Sequence, residues 1–403
     1  MRLRNNLLAL AILLVFLGVG VLYVRFWVVQ RPYGIIIFVS DGLVTRHLTA
    51  ARLFEGGAGD RLEIEKLLPH SALMRNDSLQ FAVPDAASAA SAMATGRKSR
   101  HHTVGVDEGG KAIESILELA RKEGRLVGLV TNGALTAASP AAFYAHTANA
   151  EDGQALAPML LGAPQFAVLL GGGGGDFLPA EKGGQRKDGK DLLADLKVPR
   201  WDVIRTRVDL ENASPSREGT LLGLFAQDTL DFSKKREVAL TQPSLSDLVR
   251  RAIECLETNR RGYVLIVDEA LISRACVLNQ GEHLMRETLE LDHAIGTAVR
   301  YAGEKSLILA AGRTSIGGFS LSGFPLKQDK GLALLGPTPE GNPWITWATG
   351  PKNGNPNEPV ARDAVGGVNT AEDVLALGVG LGAERVRGFI DHTDIFQIIR
   401  DAL

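Results

Sequence analysis

The chain has little cysteine, few aromatic residues and almost no net charge. Two of its 403 residues are cysteines, Cys255 and Cys276, which excludes a disulfide framework or a thiolate metal cluster but leaves one bridge possible. Lys and Arg total 44 against 46 Asp and Glu, a formal net charge of −2. Since no basic field is available to hold a polyanion, we expect no nucleic-acid partner. With 45% hydrophobic residues, the chain is long and apolar enough to bury a large core.

Residues 1–30 contain one long apolar run. Arg2 and Arg4 precede an uncharged stretch over residues 5–24, and about 20 helical residues span a hydrocarbon core of roughly 30 Å. A cleaved signal peptide would have a shorter apolar stretch and small residues at its cleavage site, which Leu22-Tyr23-Val24-Arg25 does not offer. We therefore predict a membrane anchor over residues 1–30 with a cytoplasmic N-terminus. The main domain, residues 33–403, would lie on the periplasmic or extracellular side, and a bacterial periplasm fits the short basic anchor.

Beyond the anchor, continuous apolar runs alternate with helical stretches. The runs are Gly34–Val39, Leu126–Val130, Phe166–Leu170, Tyr263–Val267 and Leu307–Leu309. Continuous rather than alternating apolar residues are typical of strands that are covered on both faces, and therefore of a parallel sheet between helices. The polar segment from Glu181 to Lys235 predicts surface excursions within the same domain. Functional residues of such sheets lie beyond the carboxyl ends of the strands.

Several segments of the chain resemble the alkaline phosphatases. Pro84 to Gly96 is similar to the family's Asp-Ser-Ala-Ala-Ser-Ala-Thr-Ala helix start and closing Thr-Gly, without a gap. Gly105-Val106-Asp107, Ser139-Pro140-Ala141-Ala142 and the ending from Arg385 to Phe396 resemble further family segments. The resemblance implies a three-layer α/β/α sandwich around a large, mainly parallel sheet. It also implies a reaction in which a serine attacks a phosphate monoester, assisted by two zinc ions, one magnesium ion and an arginine.

The residues that this reaction needs are replaced in this chain. The family's serine position is Ala86, and the phosphate-binding arginine position is Ala150. Ser88 stands two residues further on, which on a helix turns its side chain by about 200°, so it does not inherit the role. The resemblance therefore assigns no catalytic residue to this chain.

The family's metal-ligand positions have changed as well. Three of them keep a residue with a ligating oxygen, namely Asp41, Ser139 and Asp268, although an aspartate such as Asp41 after a strand is equally often a turn or cap residue. The other positions are Ala137, Ser273, Val277, Gly312, Arg313 and Asn369. The histidines all lie off these positions: His47, His70, His101, His102, His146, His283, His293 and His392. We expect no zinc or magnesium cofactor, and we expect the adjacent His101 and His102 to be solvated.

Arg313 is the most informative replacement. It stands where the family would place a ligand to a cation, and Asp41 and Asp268 would be buried anions without a positive partner. We predict that the guanidinium replaces the metal by pairing with Asp41 or Asp268. The alternative is an exposed loop arginine.

These residues favour a membrane-anchored, alkaline phosphatase-like protein that has lost phosphomonoesterase activity. Such a pseudoenzyme would bind or scaffold, either as a homodimer or paired with an active paralogue, since family members are commonly dimers. The alternative is an active, metal-dependent phosphatase of phosphate monoesters. Capture of a small molecule in the old pocket is a third possibility, but alanines at positions 86, 137 and 150 provide no polar floor for it.

Overall fold

The structure is a computed structural model with side chains. It describes residues 2–23, 31–57, 59–163, 166–194, 196, 201–214, 219–321, 344–348 and 366–403.

The strands of the described chain are numbered in chain order. They are β1 (Gly34–Ser40), β2 (His70–Arg75), β3 (Leu126–Ala134), β4 (Val168–Gly172), β5 (Trp201–Ile204), β6 (Thr220–Leu224), β7 (Tyr263–Glu269), β8 (Leu307–Gly312), β9 (Ser315–Ile316), β10 (Ser320–Leu321), β11 (Ile345–Thr346), β12 (Asn369–Thr370), β13 (Val374–Gly380) and β14 (Gly388–Asp391).

The helices are numbered in the same way. They are α1 (Arg2–Tyr23), α2 (Thr45–Glu55), α3 (Glu63–Leu67), α4 (Ala86–Thr95), α5 (Ile116–Lys122), α6 (Ala138–Ala141), α7 (Gly153–Gly162), α8 (Arg207–Asn212), α9 (Ser233–Ala239), α10 (Leu245–Leu256), α11 (Leu271–Val277), α12 (Gly281–Ala302) and α13 (His392–Ala402).

A ten-stranded sheet organises the domain, in the order β14-β2-β13-β8-β1-β7-β3-β4-β6-β5. β13 runs antiparallel to both of its neighbours, and the other neighbouring pairs are parallel. All five apolar runs singled out in the sequence lie in strands of its centre, β8, β1, β7, β3 and β4. The prediction of a large, mainly parallel sheet is confirmed.

Both faces of the sheet are covered, which makes the domain a three-layer α/β/α sandwich. Along β1, Ile35, Ile37 and Val39 point into one apolar cluster, and Ile36 and Phe38 point into the other. The first cluster includes side chains of α4, α5, α6, α7 and α13, and the second includes side chains of α2, α3, α8, α10, α11 and α12. Burial on both faces explains why the strand sequences do not alternate.

The segment from Glu181 to Lys235 is more than a surface excursion. It contributes β5 and β6, which form one edge of the main sheet. Leu221, Leu222 and Leu224 of β6 are buried. The expectation was wrong because a strand of five residues between polar loops carries too little periodic signal to stand out.

Both cysteines are free and buried, so no bridge joins Cys255 and Cys276. Helix α1 is long and apolar enough to cross a membrane by length and composition, and its apolar side chains are exposed. A signal sequence passes the same test. The side of the membrane on which the main domain lies remains a prediction. The boundaries of the anchor, residues 1–30, and of the main domain, residues 33–403, also remain predictions.

Helix α10 packs beside α12 on one face of the sheet and begins with a side-chain cap. Ser244 Oγ accepts a hydrogen bond from Asp247 N (3.1 Å), and Asp247 Oδ2 accepts one from Ser244 N (3.2 Å). Ser244→Ala should lower the free energy of unfolding by about 1 kcal/mol, because the Asp247 amide loses its side-chain acceptor. Ser246→Ala, two residues on and inside the helix, is the matched control and should cost nothing. Equal losses in urea denaturation of the two variants would contradict this assignment.

Candidate functional site

Three adjacent strands, β8, β1 and β7, bring charged side chains to one edge of the sheet. β8, β1, β7 and β3 are neighbours and parallel. Asp41 follows β1, Asp268 and Glu269 end β7, and Arg313 follows β8. Because the carboxyl ends of parallel strands meet at one edge, side chains far apart in sequence are close in space.

The guanidinium of Arg313 lies between the two aspartates. Its Nη1 donates to Asp268 Oδ1 at 2.6 Å, and its Nε lies 3.1 Å from Asp41 Oδ1. Its Nη2 donates to the backbone carbonyl of Glu269 at 3.1 Å. Arg313 is only 2% exposed. The guanidinium is therefore a buried cation paired with both carboxylates, not the exposed loop arginine of the alternative interpretation.

Charge compensation dominates the electrostatics of this site. Burial acts to lower the pKa of Arg313, but Asp41 and Asp268 outweigh it, so that the pKa is raised above its ordinary value. Burial raises the pKa of the adjacent Glu269 to about 7, even though that carboxylate accepts hydrogen bonds from Ile272 N and Asn132 Nδ2. Arg313 thus remains charged, and its charge is matched locally.

Hydroxyl groups donate further hydrogen bonds to the two carboxylates. Asp268 accepts from Ser139 Oγ at 2.6 Å and from Thr131 Oγ1 at 2.7 Å. Asp41 accepts from Thr314 Oγ1 at 2.9 Å. Two of the three ligating positions left by the resemblance, Ser139 and Asp268, are therefore hydrogen-bonded to each other.

The residues present do not fit the two zinc ions that the resemblance implies. In the described chain, the side-chain partners of Asp41 and Asp268 are hydroxyls and a guanidinium, and imidazoles are not among them. Zinc needs nitrogen or sulfur ligands or several carboxylates, and a cation already lies between these two. Val277, on α11, is 45% exposed, and its hydrocarbon side chain cannot ligate a metal ion.

The remaining replaced ligand positions also have local structural roles. Ala137 is the residue before α6, and Gly312 is the last residue of β8. Ser273 lies within α11, half-buried. Asn369 Nδ2 donates to the carbonyl of Pro84 at 2.9 Å, which joins β12 to the segment before α4. These four residues do not bring metal-ligating atoms together around one point.

The position that the resemblance assigns to the nucleophile begins α4. Asp85 caps this helix, its Oδ1 accepting from Ser88 N at 2.8 Å and from Ser88 Oγ at 2.5 Å. Ala86 is the first helical residue, and Ser88 is completely buried. The Ser88 hydroxyl is thus hydrogen-bonded to the residue that caps the helix. Ala150, at the arginine position, is buried.

Histidines lie in the core as well as on the surface. His47 is completely buried, and its Nδ1 donates to the carbonyl of Gly42, next to Asp41, at 2.7 Å. Burial lowers the pKa of His47 to about 3 and that of His392 to about 4. His47 therefore holds the turn after β1 as a neutral ring, a role that sequence position alone did not indicate.

One group of histidines does come together with a carboxylate. One ligand atom each of Asp85, His101 and His102 lie within 4.8 Å of one another. From the sequence we expect His101 and His102 to be solvated, with no connection to Asp85; in the structure His102 is exposed and His101 is half-buried. The sequence does contain an adjacent histidine pair shortly after a helix that an aspartate caps. This pattern is too weak to predict how far the histidines lie from the aspartate.

Fold and sequence together define the class of protein. The alkaline phosphatase family profile matches residues 33–339, well over half of the chain. The chain therefore belongs to the alkaline phosphatase family.

Particular relatives show how far the likeness extends. The chain is 31% identical over 357 residues to the tissue-nonspecific alkaline phosphatase of Gallus gallus, covering 77% of this chain and 66% of that relative. It is 28% identical over 300 residues to alkaline phosphatase 4 of Bacillus subtilis, covering 71% of this chain and 62% of that one. The chain thus spans less than two thirds of the length of these curated relatives.

Solved structures agree on the fold. The alkaline phosphatase from the Antarctic bacterium TAB5 superposes with a TM-score of 0.75 at 23% identity, covering 93% of this chain and 98% of that one. The alkaline phosphatase of Thermus thermophilus gives a TM-score of 0.76 at 24% identity, covering 93% and 92%.

Removing the cation should destabilise the domain strongly. Arg313→Met leaves Asp41 and Asp268 buried without a positive partner, and should lower the free energy of unfolding by about 3 to 5 kcal/mol. Adding Asp268→Asn should recover part of that loss. Arg385→Met is the control, because Arg385 pairs with Asp401 at 2.7 Å while both side chains are more than 40% exposed. Such an exposed pair is worth about 1 kcal/mol or less. Equal losses for Arg313→Met and Arg385→Met in urea titrations would refute a dominant role for the buried pair.

His47 should make the fold sensitive to acid. Its folded pKa of about 3 is below that of the unfolded chain, so the unfolded state takes up a proton first and stability falls as pH falls. Between about pH 6.5 and about pH 5 this contributes a loss of about 2 kcal/mol. His47→Asn keeps a donor for the Gly42 carbonyl and should remove this part of the pH dependence. The exposed His293→Asn should leave it unchanged, and an identical acid slope in wild type and His47→Asn would be the contrary finding.

Proposed function

We propose that this protein is a member of the alkaline phosphatase family that has lost phosphomonoesterase activity and acts by binding. The observation that supports this most directly is the position of Arg313, 2.6 Å from Asp268 and 3.1 Å from Asp41. In this proposal the guanidinium replaces a metal ion as the charge that compensates the two carboxylates. It supplies no Lewis acid and no activated oxygen nucleophile.

The energetic contribution of the missing catalytic groups also supports a loss of activity. Alanine at positions 86 and 150 provides neither a hydroxyl to attack phosphorus nor a guanidinium to hold the phosphoryl oxygens. A single preorganised donor to a transition-state anion is worth about 3 kcal/mol, and this site would lack several at once. A phosphate dianion would also approach Asp41 and Asp268, whose positive partner Arg313 is already paired with them.

The binding role would be exercised at a membrane surface. Helix α1 would serve as an uncleaved anchor with a cytoplasmic N-terminus, and the family domain would face the periplasm of a bacterium or the cell exterior. A second copy of the chain or an active paralogue is the partner we propose, in keeping with the dimers common in the family. The alternative, an active metal-dependent phosphatase, is favoured by family membership alone.

A phosphatase assay separates these two functions. The full chain in mild detergent, supplied with Zn²⁺ and Mg²⁺ at alkaline pH, should hydrolyse p-nitrophenyl phosphate no faster than buffer does. Asp268→Asn assayed in parallel identifies a contaminant, because turnover that belongs to this chain must change when Asp268 changes. Turnover that a chelator abolishes and that falls in Asp268→Asn would establish the active phosphatase instead.

A binding role predicts a stable partner. Chemical crosslinking in membranes that contain the full chain should give a discrete higher-mass species, read by mass spectrometry as a homodimer or a heterodimer with another family member. Removal of residues 1–23 should release the protein from the membrane fraction if α1 is the anchor. A monomer throughout, recovered from membranes without a crosslinked partner, would contradict the proposed pairing.

A further inference from the structure

A second cluster of ligating side chains lies beside the two alanine positions. Asp85 immediately precedes Ala86, and Glu151 immediately follows Ala150. The loop with His101 and His102 connects them, since Ala150 N donates to the His102 carbonyl at 2.8 Å. This cluster shares no residue with the site built on Asp41, Asp268 and Arg313.

The side chains of this cluster are close to the spacing of metal ligands. His102 Nδ1 lies 3.6 Å from Asp85 Oδ2, whereas the edge of a tetrahedron with zinc bonds of about 2.0 to 2.1 Å measures about 3.3 Å. One ligand atom of His101 lies within 4.8 Å of those of the other two residues. Glu151 Oε1 lies 2.6 Å from His102 Nδ1, a hydrogen-bond distance that is shorter than the spacing of two zinc ligands, so this carboxylate would have to move away from the ring to become a fourth ligand.

The backbone holds two of these groups in place. His102 has a φ of 60°, in the left-handed region that residues other than glycine adopt uncommonly, although asparagine, aspartate and histidine do so more often than the rest. Its N–H donates to Asp85 Oδ2 at 2.7 Å, while Asp85 Oδ1 is fixed by the cap of α4. Asp85 thus keeps a free lone pair on Oδ2 in a fixed direction.

His101 is oriented by its own neighbours. Its Nε2 donates to the Val83 carbonyl at 3.1 Å, and its ring lies on Phe81 with centroids 4.6 Å apart. A carbonyl acceptor on one ring nitrogen is the usual outer partner of a ligating histidine, because it leaves the lone pair on the other nitrogen. Asp85 and His101 are half-buried and His102 is exposed, so the cluster is open to solvent.

We infer that Asp85, His101 and His102 form a binding site for a divalent transition-metal ion, with Glu151 as the fourth ligand. Two imidazoles and two carboxylates suit Zn²⁺ in tetrahedral geometry. The site is assigned from this chain's own residues and is independent of the loss of phosphatase activity. It places a metal ion at the N-terminal end of α4, next to the position where the family would hold its nucleophile.

Zinc titration of the full chain tests the site. After dialysis against a chelator, isothermal titration in detergent should show one Zn²⁺ per chain, and Co²⁺ in its place should give the visible absorption of a tetrahedral ion. His102→Asn suits the left-handed backbone and should weaken Zn²⁺ binding at least ten-fold. His101→Asn and Asp85→Asn, the latter keeping the helix cap, should do the same. Because the imidazoles must be deprotonated to bind, affinity should also fall in acid.

A histidine far from the cluster provides the control. His293 is exposed on α12, and His293→Asn should bind Zn²⁺ as the wild type does. Circular dichroism of each variant shows that the fold is kept. Absence of Zn²⁺ binding by wild type, or equal affinity in wild type, His102→Asn and Asp85→Asn, would overturn the assignment and leave the cluster as an ion pair between His102 and Glu151. Asp268→Asn should not change the titration, so the result is independent of the phosphatase assay.

Discussion

The ion pairs of Arg313 with Asp41 and Asp268 are the constraint on which the centre of this protein depends. Three strand ends supply these groups, and each of the three residues is at most 5% exposed. Two buried carboxylates at the edge of a sheet would repel each other and lose their hydration, so a positive charge must lie between them. A guanidinium does this with directed hydrogen bonds and is permanently charged. The chain's own residues therefore compensate the buried negative charges at this edge of the sheet.

The surrounding structure is arranged so that this pairing is possible. Parallel pairing of β8, β1 and β7 brings residue 313, residue 41 and residue 268 side by side, in a register that aligns Val39 with Asp268 and Ser40 with Gly312. Helices cover both faces, which keeps water out and fixes the backbone. His47 holds the turn after Asp41, and Asn76 Nδ2 donates to the Arg313 carbonyl at 2.8 Å. The family fold is therefore retained, with the Arg313 ion pairs at the centre of this edge of the sheet.

The sequence was sufficient to predict the central strands of the sheet and to single out Arg313. It was insufficient to predict the contacts made by the loops. Continuous apolar runs identify β1, β3, β4, β7 and β8, because burial on both faces leaves a strong local pattern. The pairing of Arg313 with Asp41 or Asp268 was one of two interpretations that the sequence left open, the other being an exposed loop arginine, and the structure shows the buried pairing. In contrast, β6 is too short to be recognised in a polar segment, and burial of His47 depends on packing. The approach of His101 and His102 to Asp85 depends on one left-handed residue and a helix cap, which no linear spacing encodes.

The most direct measurement is a crystal structure of the protein grown with Zn²⁺, with anomalous scattering collected at the zinc edge. Our account predicts that the guanidinium of Arg313 remains between Asp41 and Asp268 and that no anomalous peak lies within coordination distance of both carboxylates. A zinc peak between Asp41 and Asp268, with Arg313 displaced from them, would contradict the account, because the family metal site would then have survived.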